Sequence, residues 1–231
     1  YMFTGIVRMD GSSRFGQNNR YGTFPSASIG WVPSREEFWK ENNIINSLKL
    51  RLSYGVTGND NFGAFSYVST IESGRNYVLG TDNVINIGYS PNGLANPDLR
   101  WEKTTQTNFG IDIRFLENFD LSFDVYKKQT KDMLLGVSYP KYAGLTGTSY
   151  GNIADMDNNG IELELGYHKR FGDFNLDVKG NISHVKNEVI YLGDDKDYID
   201  GDTFQASDYA INRTAVGQSF SSFYGFKTKG I

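Results

Sequence analysis

Few side chains in this sequence can do covalent or metal chemistry. Among its 231 residues are two histidines, 27 Asp plus Glu and no cysteine. Without a thiol there is no cysteine nucleophile, disulfide framework, Cys-ligated zinc or iron–sulfur cluster. Asp155-Met156-Asp157-Asn158-Asn159-Gly160 copies the first half of a calcium-binding EF-hand loop, but Gly166 stands where the closing glutamate belongs. This segment reads as a loop-to-strand junction. Asp194, Asp195, Asp197, Asp200 and Asp202 form an acidic run that reads as a solvated outer loop. Glu162 and Glu164 share one strand face about 7 Å apart, close to a glycosidase spacing, and plain alternation accounts for both. His168 and His184 fall on opposite faces of neighbouring strands around a Gly172-Asp173 turn, too far apart to share a metal. No Gly-x-Gly exists to cradle a phosphate. The sequence therefore predicts no enzyme, no cofactor and no metal site. What remains is a set of loop aromatics and amides: Tyr67, Tyr77, Asn83, Asn86, Tyr89 and Asn92. Tyrosine faces and asparagine amides suit sugar rings and peptide backbones alike, so these six are the candidate ligand-binding residues.

The elements that must hold those loops are strands. Leu48, Leu50, Leu52, Tyr54 and Val56 alternate with Lys49, Arg51, Ser53 and Gly55. From 101 to 115, Trp101, Phe109, Ile111, Ile113 and Phe115 share a face with Lys103, Thr105 and Thr107, and the other face has no apolar residue. Phe119, Leu121, Phe123 and Val125 continue the pattern, as do Ile161, Leu163, Leu165 and Tyr167, then Phe174, Leu176, Val178 and Ile182. Period 2 puts one apolar and one polar wall on each strand. Segments 1–10 and 20–32 also read as extended, with a bend or bulge expected at Pro25. Seven wall strands are expected, with an eighth around 215–228. Ser34-Arg35-Glu36-Glu37 is a capping-box pattern that predicts one or two helical turns.

Connections alternate in length. Residues 116–118 and 172–173 are tight turns, whereas 58–99, 134–158 and 188–213 are long and rich in Gly, Asn, Asp, Ser and Tyr. Short turns at one end and long loops at the other mark an outer-membrane barrel. No run approaches the ~18 apolar residues of a spanning helix, but barrel strands hide their hydrophobicity in alternation. Aromatics at 15% and 26 glycines fit an all-β envelope protein, and a net charge of −4 gives no reason to expect nucleic acid. Lys103, Lys127 and Lys169 sit on the apolar phase toward strand ends, where lysine can snorkel. The fold class is thus an all-β antiparallel transmembrane barrel. A complete small barrel with an adhesive or structural role and a soluble β-sandwich carbohydrate-binding module are the alternatives.

Several motifs sharpen this. Arg8-Met9-Asp10-Gly11-Ser12-Ser13-Arg14-Phe15-Gly16 is followed by Phe24-Pro25-Ser26-Ala27-Ser28-Ile29-Gly30-Trp31 and Glu37-Phe38. Then come Leu48 to Gly55, Gly58-Asn59, Asn96-Pro97-Asp98-Leu99-Arg100-Trp101-Glu102, Asn159-Gly160-Ile161-Glu162-Leu163, and Val216-Gly217 through Phe223-Tyr224-Gly225. In this order they resemble the SusC/RagA family of TonB-dependent outer-membrane transporters. The resemblance implies a barrel of about 22 strands around a plug, importing oligosaccharide or peptide beneath a SusD-like surface lipoprotein and energised by TonB through the plug. It places the chain in the bacterial outer membrane, in contact with outer-membrane lipid. Residues 1–231 then correspond to part of the barrel domain, with the plug, the TonB box and the C-terminal strands absent. Seven or eight strands close only a narrow, side-chain-filled barrel, so a segment of a larger wall is expected.

Overall fold

In the computed structural model the alternating segments become one antiparallel sheet. The structure describes residues 1–231 except 41–43, 82–83, 138, 194–195, 202, 204–208 and 231. The strands are β1 (Met2–Gly11), β2 (Tyr21–Trp31), β3 (Ile45–Asn59), β4 (Ile71–Ser73), β5 (Tyr77–Val78), β6 (Ile85–Asn86) and β7 (Tyr89–Pro91). They continue with β8 (Glu102–Phe115), β9 (Phe119–Val137), β10 (Ser149–Phe171), β11 (Phe174–Tyr191), β12 (Tyr198–Asp200), β13 (Asn212–Ala215) and β14 (Ser222–Phe223). Seven of them form the wall in the order β1-β2-β3-β8-β9-β10-β11. Its two outer strands, β1 and β11, are not paired with each other, so the sheet is open.

The register places apolar phases side by side across the whole wall. Ile29, Leu52, Phe109, Val125 and Ile161 pair in one row that ends at His184. The next row is Trp31, Leu50, Ile111, Phe123, Leu163 and Ile182. Toward the tight turns the wall ends in aromatics: Phe115 and Phe119 stack at 5.2 Å, and Tyr167 packs on Phe119 at 4.8 Å. Among the described residues nothing covers these rows, and Ile182 is 69% exposed. An uncovered apolar face of this extent needs an apolar partner. A one-residue slip would turn every apolar side chain to the wrong face, so the pattern itself fixes the register. The buried core lies elsewhere, at the long-loop end, where Phe15, Phe24, Leu99 and Trp101 form one cluster and Ala154, Val189 and Leu192 another.

Several expectations are corrected. The Ser34 segment makes one of the expected one or two turns, a 3-10 turn at Pro33–Arg35, but without the expected side-chain cap. Its Ser34 hydroxyl instead accepts from Leu48 N at 3.0 Å, which ties the turn to β3. The 134–158 loop is much shorter, because β9 runs to Val137 and β10 starts at Ser149. Asp155 to Gly160 therefore lies within β10 rather than at a loop junction. There the Asp155 carboxylate accepts from Asp132 N, and Asp157 accepts from Gln129. Pro25 makes no bulge with β1, where Val7 pairs with it in register, but pairing of β2 with β3 begins only at Ser26. Residues 215–228 supply no wall strand: β12, β13 and β14 form a separate small sheet. Both tight turns match, with Gly172 at φ 60° in a two-residue hairpin whose ends pair as Phe171 and Phe174.

Candidate functional site

The polar phase of the wall is a connected surface. Arg51 donates from Nε to Asp112 Oδ2 at 2.8 Å and from Nη2 to Asp124 Oδ2 at 2.9 Å, bridging β3, β8 and β9. Asn108 Nδ2 donates to Asp124 Oδ1 at 2.9 Å, and Ser122 Oγ donates to Asp112 Oδ1 at 2.9 Å. Gly110 makes room for this arrangement, since a Cβ there would come within 2.6 Å of the Arg51 guanidinium carbon. Toward the tight turns, Arg114 donates to Asp120 at 2.8 Å, and His168 Nε2 meets the same carboxylate. Lys179 lies 3.7 Å from Glu164. Such paired charges can line a water-filled passage without leaving an isolated buried ion. Alternation placed these residues on one face, but their mutual pairing depends on register and was not legible from the sequence.

At the long-loop end the 60–101 connection has two parts with different roles. Its base is core. Phe62 and Tyr67 pack on the Phe15, Leu99 and Trp101 cluster, with Phe15 to Trp101 at 5.2 Å. Gly58 lets Phe24 and Trp101 approach, because a Cβ there would fall 2.1 Å from the Phe24 ring. Arg100 donates to Asp132 at 2.6 Å, and this bond holds its guanidinium above its ordinary pKa. The rest is a β-ribbon: β4 pairs with β7, and farther out β5 pairs with β6. Arg75 N donates to Gly88 O between the two pairs.

The structure separates the six candidate residues. Tyr77 and Asn86 are direct cross-strand partners on the ribbon, with Tyr77 69% exposed. Tyr89 is 67% exposed opposite Ser73. Tyr67 is half-buried in the base, so its ring holds the loop rather than offering a free face. Asn92 is a tie between loops: its N donates to Thr70 O at 2.7 Å, and its carbonyl accepts from Gly147 N. Asn83 lies outside the described residues. Three residues are therefore gathered on the exposed ribbon and two belong to its foundation. Sequence reasoning missed the apolar company of the tyrosines, since Val78, Leu79, Val84, Ile85 and Ile87 are all exposed along the same ribbon.

The small sheet near the chain's end is held by Arg213. Its guanidinium lies between the Tyr198 and Tyr224 rings at 3.8 and 3.7 Å and donates to Asp200 at 2.6 Å. The Asp200 bond holds this guanidinium too above its ordinary pKa. Asp200 of the acidic run is thus engaged with arginine, while Asp194, Asp195 and Asp202 lie outside the described residues. Among the described residues no group of carboxylates and histidines is arranged to hold a metal. His168 and His184 are also well separated, pairing with Asp177 and Ile161 respectively.

Comparison with known proteins agrees with this architecture. The family model described as "TonB dependent receptor-like, beta-barrel" matches residues 1–227. TonB-dependent receptor P39 of Formosa agariphila is 37% identical over all of this chain, which corresponds to 21% of that protein. TonB-dependent receptor SusC of Bacteroides thetaiotaomicron is 34% identical over 98% of the chain and 23% of its own length. Among solved structures, the RagAB peptide transporter superposes with a TM-score of 0.79 at 28% identity, over 96% of this chain and 23% of that one. The chain spans less than a quarter of the length of these relatives. An all-β wall with one apolar and one ion-paired face, matched across nearly its whole length by that model, belongs to the TonB-dependent receptor β-barrel family.

Proposed function

We propose that this chain supplies wall, lumen lining and extracellular loops to an outer-membrane importer driven through TonB. The observation that carries this reading is the uncovered apolar face, continuous across seven strands and backed by an ion-paired polar face. Lipid on one side and a hydrated lumen on the other satisfy both. The nine residues from Phe119 to Lys127 match the ~9–11 that a tilted strand needs to cross a bilayer. A sheet edge left unpaired in lipid is untenable, so β1 and β11 pair with further strands of a larger barrel. A β-sandwich would need a second sheet over the apolar face, and among the described residues none is there.

The long-loop end then faces the cell exterior, and the ribbon at 71–91 meets the incoming ligand or a SusD-like lipoprotein lid. The imported molecule is an oligosaccharide or peptide, recognised through tyrosine faces and asparagine amides at Tyr77, Asn86 and Tyr89, with Asn83 between them in sequence. This role is binding, without catalysis. The test is removal of residues 74–88 from the full-length transporter, which spares the Tyr67 base and the Asn92 tie. With surface expression confirmed, ligand uptake and lipoprotein co-purification should both fall. Unchanged values for both would leave the ribbon without this role.

A further inference from the structure

The two rims of the apolar band differ chemically. At the tight-turn rim the outward row is aromatic, Phe115, Phe119 and Tyr167, and the single lysine beyond it among the described residues of β10, Lys169, lies over the Phe171 ring at 5.3 Å. At the long-loop rim the outward row reads Tyr54, Thr107, Lys127, Asn159 and Lys186 in direct pairing across five strands. Farther out, Lys103 and Lys131 pair with each other. Directly beneath the Lys127 row lies a shallow groove of about 490 Å³, lined by Phe109, Val125, Ile161, His184 and the two lysines. Its floor is hydrocarbon apart from the His184 ring at one end, and its upper lip carries the two lysines.

We propose that this groove is a binding site for a phosphorylated glycolipid of the outer leaflet, with an acyl chain on Phe109, Val125 and Ile161 and a phosphate between Lys127 and Lys186. The inference rests on the membrane-barrel reading above. Lys127 and Lys186 flank Asn159 on successive strands, so their backbones stand roughly 10 Å apart at sheet spacing. Flexible stems can close that gap onto one phosphate. Lys127 lies 3.4 Å from Asp157 and Lys186 lies 2.7 Å from Glu188, and these carboxylates sit one row farther from the membrane. They hold the ammonium groups above the groove and leave further N–H donors on its side. The side chains are 54% and 68% exposed, and so open to a headgroup. Thr107 and Asn159, between and beside the lysines, supply neutral hydrogen-bonding groups of the kind that sugar hydroxyls and amides use. An aromatic rim would serve any lipid. Two lysines over an apolar floor select an anionic one, and the polar groups between them favour a sugar head over a glycerol head.

The test is native mass spectrometry of the full-length transporter in detergent, titrated with monophosphoryl lipid A, its dephosphorylated form, or phosphatidylglycerol. Monophosphoryl lipid A should bind the unaltered protein more tightly than either of the others. The K127Q/K186Q double variant should bind it at least about tenfold more weakly, as expected for two lysines near an anionic surface. The K127R/K186R variant should restore binding. Glu188→Gln should tighten binding, because it removes a competing carboxylate, whereas a merely structural Lys186–Glu188 pair would give no gain. Undiminished binding in K127Q/K186Q, loss in K127R/K186R, unchanged or weaker binding in Glu188→Gln, or equal binding of dephosphorylated lipid or phosphatidylglycerol would each overturn the proposal. Heat-modifiable gel mobility is measured on every variant. Unaltered protein without a folded barrel by that measure would refute the barrel reading itself rather than the glycolipid site.

Discussion

Ile111→Arg is the sharpest test of which face meets lipid. Ile111 pairs with Leu50 on one side and Phe123 on the other, in a row that continues to Leu163 and Ile182. Phe123 lies midway between aromatic Phe119 and cationic Lys127 along β9, so this row sits near the bilayer midplane. Arginine at that depth costs about 2–4 kcal/mol on the lipid face. Losing the lipid-facing isoleucine surface adds about 1.5–3 kcal/mol, for a total of about 5 kcal/mol. The control is Asn181→Arg on the polar face, opposite Glu164, where the change should stay within about 0.5 kcal/mol. Asn108 would be a poor control, because its amide donates to Asp124. The assay is the denaturant midpoint of the full-length protein folded into lipid vesicles, read by heat-modifiable gel mobility. The reasoning fails if Ile111→Arg leaves the midpoint unchanged, or if Asn181→Arg lowers it equally.

Gly58→Ala should destabilise the loop base by about 1–3 kcal/mol, since the new methyl meets Phe24 and Trp101; faster proteolysis within 60–101 would report it. Arg213→Lys keeps the charge but loses the forked donor and the stacking plane between Tyr198 and Tyr224. Amide exchange at 198–215 should rise, while exchange in the wall stays constant. Single cysteines at Gly80 and Asn118 of an otherwise cysteine-free variant of the full-length protein should label differently in intact cells. Gly80 should react with an impermeant reagent and Asn118 should not, and the reverse pattern would invert the assigned topology.

The wall was legible because lipid and lumen impose opposite demands on successive residues, so Leu48 to Val56 or Phe119 to Val125 could be assigned from type alone. Beyond the bilayer that pressure ends. Thr130, Lys131 and Asp132 continue β9 with polar residues on both faces, and Asp132 has a φ of 59° where the register with β10 shifts. Asn152, Asp155, Asp157 and Asn158 likewise put polar residues on both phases at the start of β10, so residue type alone does not separate strand from loop between 149 and 158. Ser34 failed as a cap because its hydroxyl bonds a backbone group far along the chain, at Leu48. Tyr67 and Tyr77 look alike in sequence. Only the presence of Phe15, Leu99 and Trp101 beside Tyr67 makes one a foundation and leaves the other free.

The pairing order also sets an order of assembly. Strands β8 to β11 form a meander in which every neighbour is next in sequence, whereas β3 reaches β8 only across the 60–101 connection. Closing short hairpins costs less chain entropy than closing a long loop, and contacts distant in sequence form slowly. The β8–β11 meander should therefore zip up as an early unit, with the β1–β3 meander joining as a second block at the β3–β8 seam. Pulse-labelled hydrogen exchange during refolding should find β9 and β10 protected ahead of that seam, which makes the stem of the ribbon a late-closing joint in the growing wall.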